Sequence, residues 1–485
     1  MTESEIPLDL GDALPRPRYI YSPISASSEI RLVQYAANAF KPDGAIDLSM
    51  ITVQVSDLSS TQYFPLSYVW GPREFNLEIT IDGCGLPVTD NLYSCLVNLH
   101  EFNFGKDENI IGEPYFWIDA LCIDQSNLEE RGKQVSLMAQ IYQNAGCTLA
   151  WLGSSYHNSD LAIDMIELIW HGHEEIGGHE FVNTELLQHP GLRDGWLALH
   201  RLFQRQWWVR VWIQQEYTLS KRILMFCGTR WCSSDVLFEA INTLDKALDP
   251  SLGPPGLQVV LGDLENSNLA PISEGGPCLI IGNSGLWQAS NMRNTKIHRL
   301  HHDFSLPLLY LLNRTTATEC TDPRDAIYAM LGLARGSQAL VPRPDYASSV
   351  QEVFTNLVVA HIDYYKDLDI ICYGRNNQTR GSLPSWVPDW ALENEDRWYL
   401  VSIWGNHELH LEHVKSGTRN EQDGPVLYAA SRGANLSSTV SSDRTRIVST
   451  ALWLGTINGL GWSEAPPMSP VLREVQPFQS CTLAE

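Results

Sequence analysis

The sequence predicts an α/β fold, a parallel sheet covered by helices on both faces, followed by a mostly helical and then mixed α+β C-terminal region. Three observations carry this reading. Apolar runs of strand length recur at FPLSYVW (64–70), YFWIDALCI (115–123), CTLAWLG (147–153) and RILMFCG (222–228), with helical patterns between them. The second run is almost unbroken in apolar character, as central parallel strands are. The chain of 485 residues is 44% apolar and 19% charged, enough to bury a large core across two or three domains.

Residues 1–60 form a turn-rich lead-in with two short strands, IRLVQY and IDLSMITVQV. The FPLSYVW strand stops at Gly71-Pro72, and LEITIDG (77–83) reads as a hairpin arm. Thr89 is placed to cap a helix whose apolar positions Leu92, Cys95, Leu96 and Leu99 have helical spacing. YFWIDALCI is read as one strand with Asp119 inside it. Ser126-Asn-Leu-Glu129 has the form of a capping box, opening a helix with Val135, Met138, Ile141, Tyr142 and Ala145 on one face. After CTLAWLG comes a polar insertion at about 154–205, rich in His and Glu (His171, His173, Glu174, Glu175, His179). WWVRVWIQQEYTLS (207–220) is read as a single helix before the fourth strand.

Residues 231–300 hold a helix and a Gly/Pro/Asn/Ser-rich linker. LPLLYLLNRT, DPRDAIYAMLGLA and SSVQEVFTNLVVAHIDYYKD predict helices in a C-terminal region, 301–470, that packs on the core. LPSWVPDWA (383–391) predicts an ordered extended turn, and 471–485 a flexible tail.

The net charge of −24 disfavours nucleic acid and anionic membrane surfaces as partners. No apolar run is long enough to span a bilayer. The acidic N-terminus is no signal peptide, and ten scattered cysteines without a CxxC pair fit reduced thiols, so a cytoplasmic location is expected. Protein partners and small ligands remain.

FPLSYVWG, VTDNLYSCL and FWIDALCIDQSNLEERGKQVSLMAQIYQNAGCTLAWLG, in that order, resemble the successive motifs of the fungal heterokaryon-incompatibility (HET) domain. RQWWVRVWIQQE, TDPRDAIYAMLGL and LPSWVPDW resemble segments that follow in that family. The likeness is close over residues 61–230 and intermittent to about 390. Pro72 stands where an acidic or amide residue is usual, and Asp124 replaces the commoner Asn. The resemblance implies a flavodoxin- and TIR-like parallel sheet. It also implies fungal non-self recognition that triggers programmed cell death, with a protein partner from an incompatible strain or self-association.

HET domains are regarded as distant relatives of TIR domains. Ser67-Tyr68 matches the Ser-Tyr that ends the first TIR strand. Trp212-Ile-Gln-Gln-Glu216 has the spacing of the TIR Trp-Cys-x-x-Glu, whose Glu is catalytic in the TIR domains that cleave NAD. Glu216 is therefore the candidate catalytic residue, with NAD as substrate if the domain is an enzyme. Cleavage of the nicotinamide–ribose bond needs no general acid, because a cationic pyridinium departs neutral. One carboxylate beside the developing oxocarbenium ion stabilises it. Trp212, four residues before Glu216, shares its helix face and is expected to lie over the carboxylate.

Ligands on parallel sheets bind beyond the carboxyl ends of the strands. Ser67, Tyr68, Gly71, Arg73, Asp124 and Gln125 are the remaining ligand-binding candidates. No Gly-rich phosphate loop is present.

Plainer readings stand beside these. Glu216 can be a structural ion pair with Arg210, Arg205 or Arg222. A catalytic Glu216 should face a cleft near Ser67 and the Gly71 loop, rather than pair with an arginine in the core. Asp119 suits capping or internal pairing, and Glu129, Glu130 and Arg131 a helix start. His298, His301, His302 and Asp303 suit a solvated face better than a metal site. Cys122 reads as a buried thiol. Asp322-Pro-Arg324-Asp325 suits a turn with a local salt bridge that docks the C-terminal region on the core. Two functions of different class follow: a signalling module acting by association, or an NAD nucleosidase. A paralogue outside incompatibility is a third.

Overall fold

The computed structural model describes residues 16–41, 44–102, 114–176, 182–186, 189–248, 285–302, 306–314 and 318–365, with shorter pieces between 368 and 449. Residues 249–284 of the expected linker and the tail 471–485 lie outside the described residues, and the end of that linker, from 285, is not loop but the helix Gly285–His302.

Strands β1 (Glu29–Phe40), β2 (Ile46–Gln54), β3 (Tyr63–Tyr68), β4 (Leu77–Ile81), β5 (Cys84–Val88), β6 (Tyr115–Trp117), β7 (Thr148–Trp151), β8 (Ile223–Cys227) and β9 (Arg230–Ser233) form one sheet. Its order is β5-β4-β2-β1-β6-β3-β7-β8-β9. β6, β3, β7 and β8 run parallel. These are the four apolar runs read from the sequence. Numbered among themselves along the chain, they lie in the order second, first, third, fourth, so the sheet grows one way from β3 and then the other. That is the flavodoxin-like order, and its switch point falls between β3 and β7, where Ser67 pairs with Ala150.

The strands of the lead-in join this sheet. β1 pairs antiparallel with β2, and its Val33 pairs with Phe116 of β6. β4 and β5 form the expected hairpin, and β4 runs parallel to β2.

Side chains alternate faces along a strand. Leu149 and Trp151 of β7 and Phe226 of β8 enter one core; Ala150, Leu152, Met225 and Cys227 enter another. The first core is roofed by α1 (Asp90–Glu101), by α3 (Leu128–Asn144) and by C-terminal segments that include Phe354, Leu357 and Trp390. The second is roofed by the insertion helices Ser159–Ile176 and Arg193–Phe203 and by Ser234–Leu248. Thr89 caps α1 by accepting from the Leu92 N–H, and Leu92, Cys95, Leu96 and Leu99 are buried as the spacing requires. Helices Leu308–Arg314, Asp325–Leu331 and Val350–Tyr365 fall within their predicted segments.

Three local readings need correction. The run 115–123 is not one strand. β6 ends at Trp117, and a short helix α2 (Asp119–Cys122) follows, because Asp119 turns its carboxylate onto the Ala120 N–H at 2.7 Å. The cap of α3 is Asn127, which accepts from Glu130 N–H, while the Ser126 hydroxyl is spent on Asp124 at 2.6 Å. Residues 207–220 are not one helix either. A 3-10 turn (Gln206–Val209) gives way to extended backbone at Arg210, and a separate short helix spans Ile213–Leu219. The break has a tertiary cause: the Val211 N–H donates to the Glu319 carbonyl, and the Glu319 N–H donates to the Val209 carbonyl. A helix cannot form where both groups are engaged sideways.

Candidate functional site

Ser67 is the fifth residue of β3, at the carboxyl end of the strand and on the switch point. It is only 2% exposed, so its hydroxyl must be satisfied internally. The Trp207 indole N–H donates to the Ser67 Oγ at 3.0 Å, and the Ser67 hydroxyl donates to the Glu216 Oε2. The 3-10 turn before Arg210 delivers Trp207, and the helix after it delivers Glu216. The same backbone break that defeats a continuous helix therefore brings both to one serine.

Glu216 is 3% exposed. Arg210 faces it as a fork, Nη1 to Oε2 at 3.3 Å and Nη2 to Oε1 at 3.5 Å. Burial pushes the Glu216 carboxyl above its ordinary range, and Arg210 and Ser67 offset this only in part. Burial lowers the Arg210 guanidinium, but the Glu216 and Asp119 charges outweigh it and raise the net value. Asp119 is raised by burial against Arg210 and its own hydrogen bonds. Its Oδ2 accepts the Trp70 indole N–H at 2.9 Å, and the Tyr68 hydroxyl bonds to it as well. One guanidinium thus serves two carboxylates, Glu216 buried and Asp119 partly buried, and the side chains around it close a network under the strand ends.

The sequence candidates distribute unevenly over this site. Ser67 and Glu216 meet directly, and Tyr68 joins the same network through Asp119. Gln125 supports them indirectly, donating to the Asp119 carbonyl at 2.9 Å. Asp124 organises its own loop, accepting from the Ser126 N–H and hydroxyl while its N–H donates to Glu130. Gly71 turns the chain after β3 with φ +76°, and Arg73 lies exposed beyond it. The Trp212 indole is hydrogen-bonded to Asp325, while the Glu216 N–H donates to the Trp212 carbonyl at 3.0 Å. Asp119 and Arg210, read as structural partners, are full members of the network. Trp207 had no sequence signal, since a hydrogen bond to a serine on a distant strand leaves no local pattern.

A second charged cluster docks the C-terminal region beside the first, as the Asp322-Pro-Arg324-Asp325 motif led one to expect. Arg324 pairs with Asp322 at 2.8 Å and donates to the Tyr346 and Ser348 carbonyls. Arg131 of α3 stacks on the Tyr346 ring at 3.7 Å and approaches Asp322 and Asp325 at 3.8 and 4.0 Å. The Tyr346 hydroxyl donates to Asp325 at 2.7 Å.

Burial pushes the Cys122 thiol up to about 12, an inert thiol. Among the described residues no group of three His, Cys, Asp or Glu side chains could hold a metal. The side chains of His173, Glu174, Glu175, His179, His298, His301, His302 and Asp303 lie outside the described residues. Among the described residues no helix is long and apolar enough to cross a membrane.

A parallel α/β core thus carries a largely buried charge network at its switch point. Residues 63–216 match the family model described as Heterokaryon incompatibility protein (HET). The chain is similar to Heterokaryon incompatibility protein 6, OR allele, of Neurospora crassa, with 27% identity over 419 residues, 75% of this chain and 58% of that protein. It therefore spans less than two thirds of that relative's length. No solved structure gives a significant match. Residues 63–216 are thus similar to a HET domain, and the likeness to the Neurospora protein extends beyond that segment.

Proposed function

We propose that this protein acts in fungal heterokaryon incompatibility, with the HET domain as a signalling module that triggers programmed cell death after contact with a non-self partner or its own copy. The observation that supports this reading most is the closure of the matched segment on itself. Ser67, near its first residue, and Glu216, its last, are hydrogen-bonded to each other. The first and last strand-end groups of the matched segment are thus tied together at one point of the sheet. Arg210 neutralises the one carboxylate that chemistry would need, which favours a scaffold over an enzyme.

The alternative is an NAD-cleaving nucleosidase acting as the death effector. The position of Glu216 at the carboxyl ends of the strands speaks for it. It requires Arg210 to leave the carboxylate and the network to open to a ligand.

Expression of the wild type and Glu216→Gln in fungal cells, with cellular NAD and death measured together, tests the reading. Death with steady NAD, retained in the variant, is expected. Loss of both death and NAD consumption in a folded variant would instead establish the enzyme. Absence of death under every pairing would leave a HET protein outside incompatibility.

A further inference from the structure

Arg205 is a buried cation with which no carboxylate among the described residues pairs. It is 4% exposed and follows the insertion helix Arg193–Phe203. Its Nη1 donates to the Leu152 carbonyl at 2.9 Å and the Ser154 carbonyl at 3.1 Å, beyond the carboxyl end of β7. Its Nη2 is buried and has no hydrogen-bond partner. Among the described residues no carboxylate forms an ion pair with it. Glu216 is taken by Arg210, and the Asp160 carboxylate accepts from the Ser155 hydroxyl at 3.2 Å. A guanidinium withdrawn from water without a counter-charge is costly unless something else supplies one.

The backbone around it is built for close approach. Gly153 has φ +105°, and a Cβ there would sit 3.3 Å from the Arg205 Nη1. Gly228, at the end of β8, has φ +58°, and its Cβ would meet the Ser155 Cβ at 2.7 Å. The Tyr156 ring, half exposed, covers the guanidinium at 4.1 Å and stands between it and solvent.

We propose that Arg205 and the Gly153–Tyr156 turn form a binding site for the oxyanion group of a small molecule, a carboxylate or a phosphate, with Tyr156 as its cover. The unused Nη2 supplies two N–H donors, and the charge of the missing partner is the ligand's own. The overall charge of −24 repels polyanions, so the site takes a single anionic group. The site shares no side chain with the Ser67–Glu216 network and does not rest on the proposed function.

The full chain is melted in 50 mM sodium phosphate, in sodium acetate and in sodium chloride of matched ionic strength, as wild type, Arg205→Gln and Tyr156→Ala. Wild type is expected to gain about 2–5 °C over chloride in at least one oxyanion, the usual size of a shift for a ligand well above its Kd. The gain should vanish in Arg205→Gln and grow in Tyr156→Ala, where no ring has to move. A gain in phosphate alone identifies a phosphoryl ligand, and one in acetate alone a carboxylate. Equal gains in wild type and Arg205→Gln, a general salt effect, overturn the site. So does the absence of any gain. Should Arg205→Gln fail to fold, equal gains in wild type and Tyr156→Ala overturn it.

Discussion

Arg210 and Glu319 face each other as a parallel β-bridge, although one belongs to the HET domain and the other to the C-terminal region. The Glu319 N–H donates to the Val209 carbonyl at 2.5 Å, and the Val211 N–H donates to the Glu319 carbonyl at 3.0 Å. The bridge holds Arg210 extended, and in that conformation the guanidinium reaches Glu216. The buried charge network of the HET domain is therefore shaped by a segment outside the matched 63–216.

The first prediction concerns that bridge. Glu319→Pro removes the N–H that donates to Val209 and should destabilise the fold by about 1–2 kcal/mol, the scale of one lost hydrogen bond plus a group left unpaired. Glu319→Ala keeps the backbone pair and should be nearly neutral, because the side chain is exposed. Hydrogen exchange should quicken over residues 206–219 in the proline variant and stay unchanged in β3, β7 and β8. Uniform quickening across the sheet would count against a local role.

The second concerns the ion pair. Arg210→Met strands Glu216 as a buried carboxylate and should cost about 3–5 kcal/mol, as broken buried pairs do. Adding Glu216→Gln should recover part of that loss. Urea denaturation of both single variants and the double variant gives the coupling. Strictly additive losses would mean that the fork at 3.3 and 3.5 Å contributes nothing.

The third follows from Asp325, whose carboxyl burial pushes up from 3.8 to about 6. Between those values the folded protein keeps a proton that the unfolded chain has lost. This stability is thus fully present below about pH 4 and disappears as pH rises through 6. Asp325→Asn does not titrate. Relative to wild type it should gain on the order of 2–3 kcal/mol between pH 4 and 7, at about 1.4 kcal/mol per unit. Parallel stability curves for the two proteins across that range would refute the shift.

The fourth concerns thiols. Cys122 is fully buried, and its thiol is pushed up to about 12. It should resist alkylation at pH 8 in the native protein and react only on unfolding, whereas partly exposed Cys84 and Cys320 should react before it. Mass spectrometry of the labelled chain gives the order.

Much of the parallel sheet was legible in the chain. Central strands buried on both faces read as apolar runs, and the four runs named here became β3, β6, β7 and β8. The Thr89 cap and the helix behind it were legible for the same reason, since their signal lies within ten residues. Ser67 and Glu216 could be singled out by motif likeness, and they are hydrogen-bonded to each other, which leaves their role untouched.

The failures share one cause. Residues 207–220 look helical, and only a distant backbone at Glu319 forbids it. The partner of the Trp212 indole, Asp325, lies far along the chain. Nothing near Trp207 points to Ser67, and nothing near Arg205 says that it will be buried with no carboxylate beside it.

The sequence by itself determined the periodic elements, the parallel class of the sheet and the likeness to the HET family, because hydrophobic period and motif order are local properties of a chain. Which arginine answers Glu216, which is left unanswered, and where the helix breaks were decided only by the tertiary structure. Those outcomes depend on burial and on pairing between groups far apart in the chain, and the cost of an unpaired buried charge or N–H is set only once the chain has closed around it.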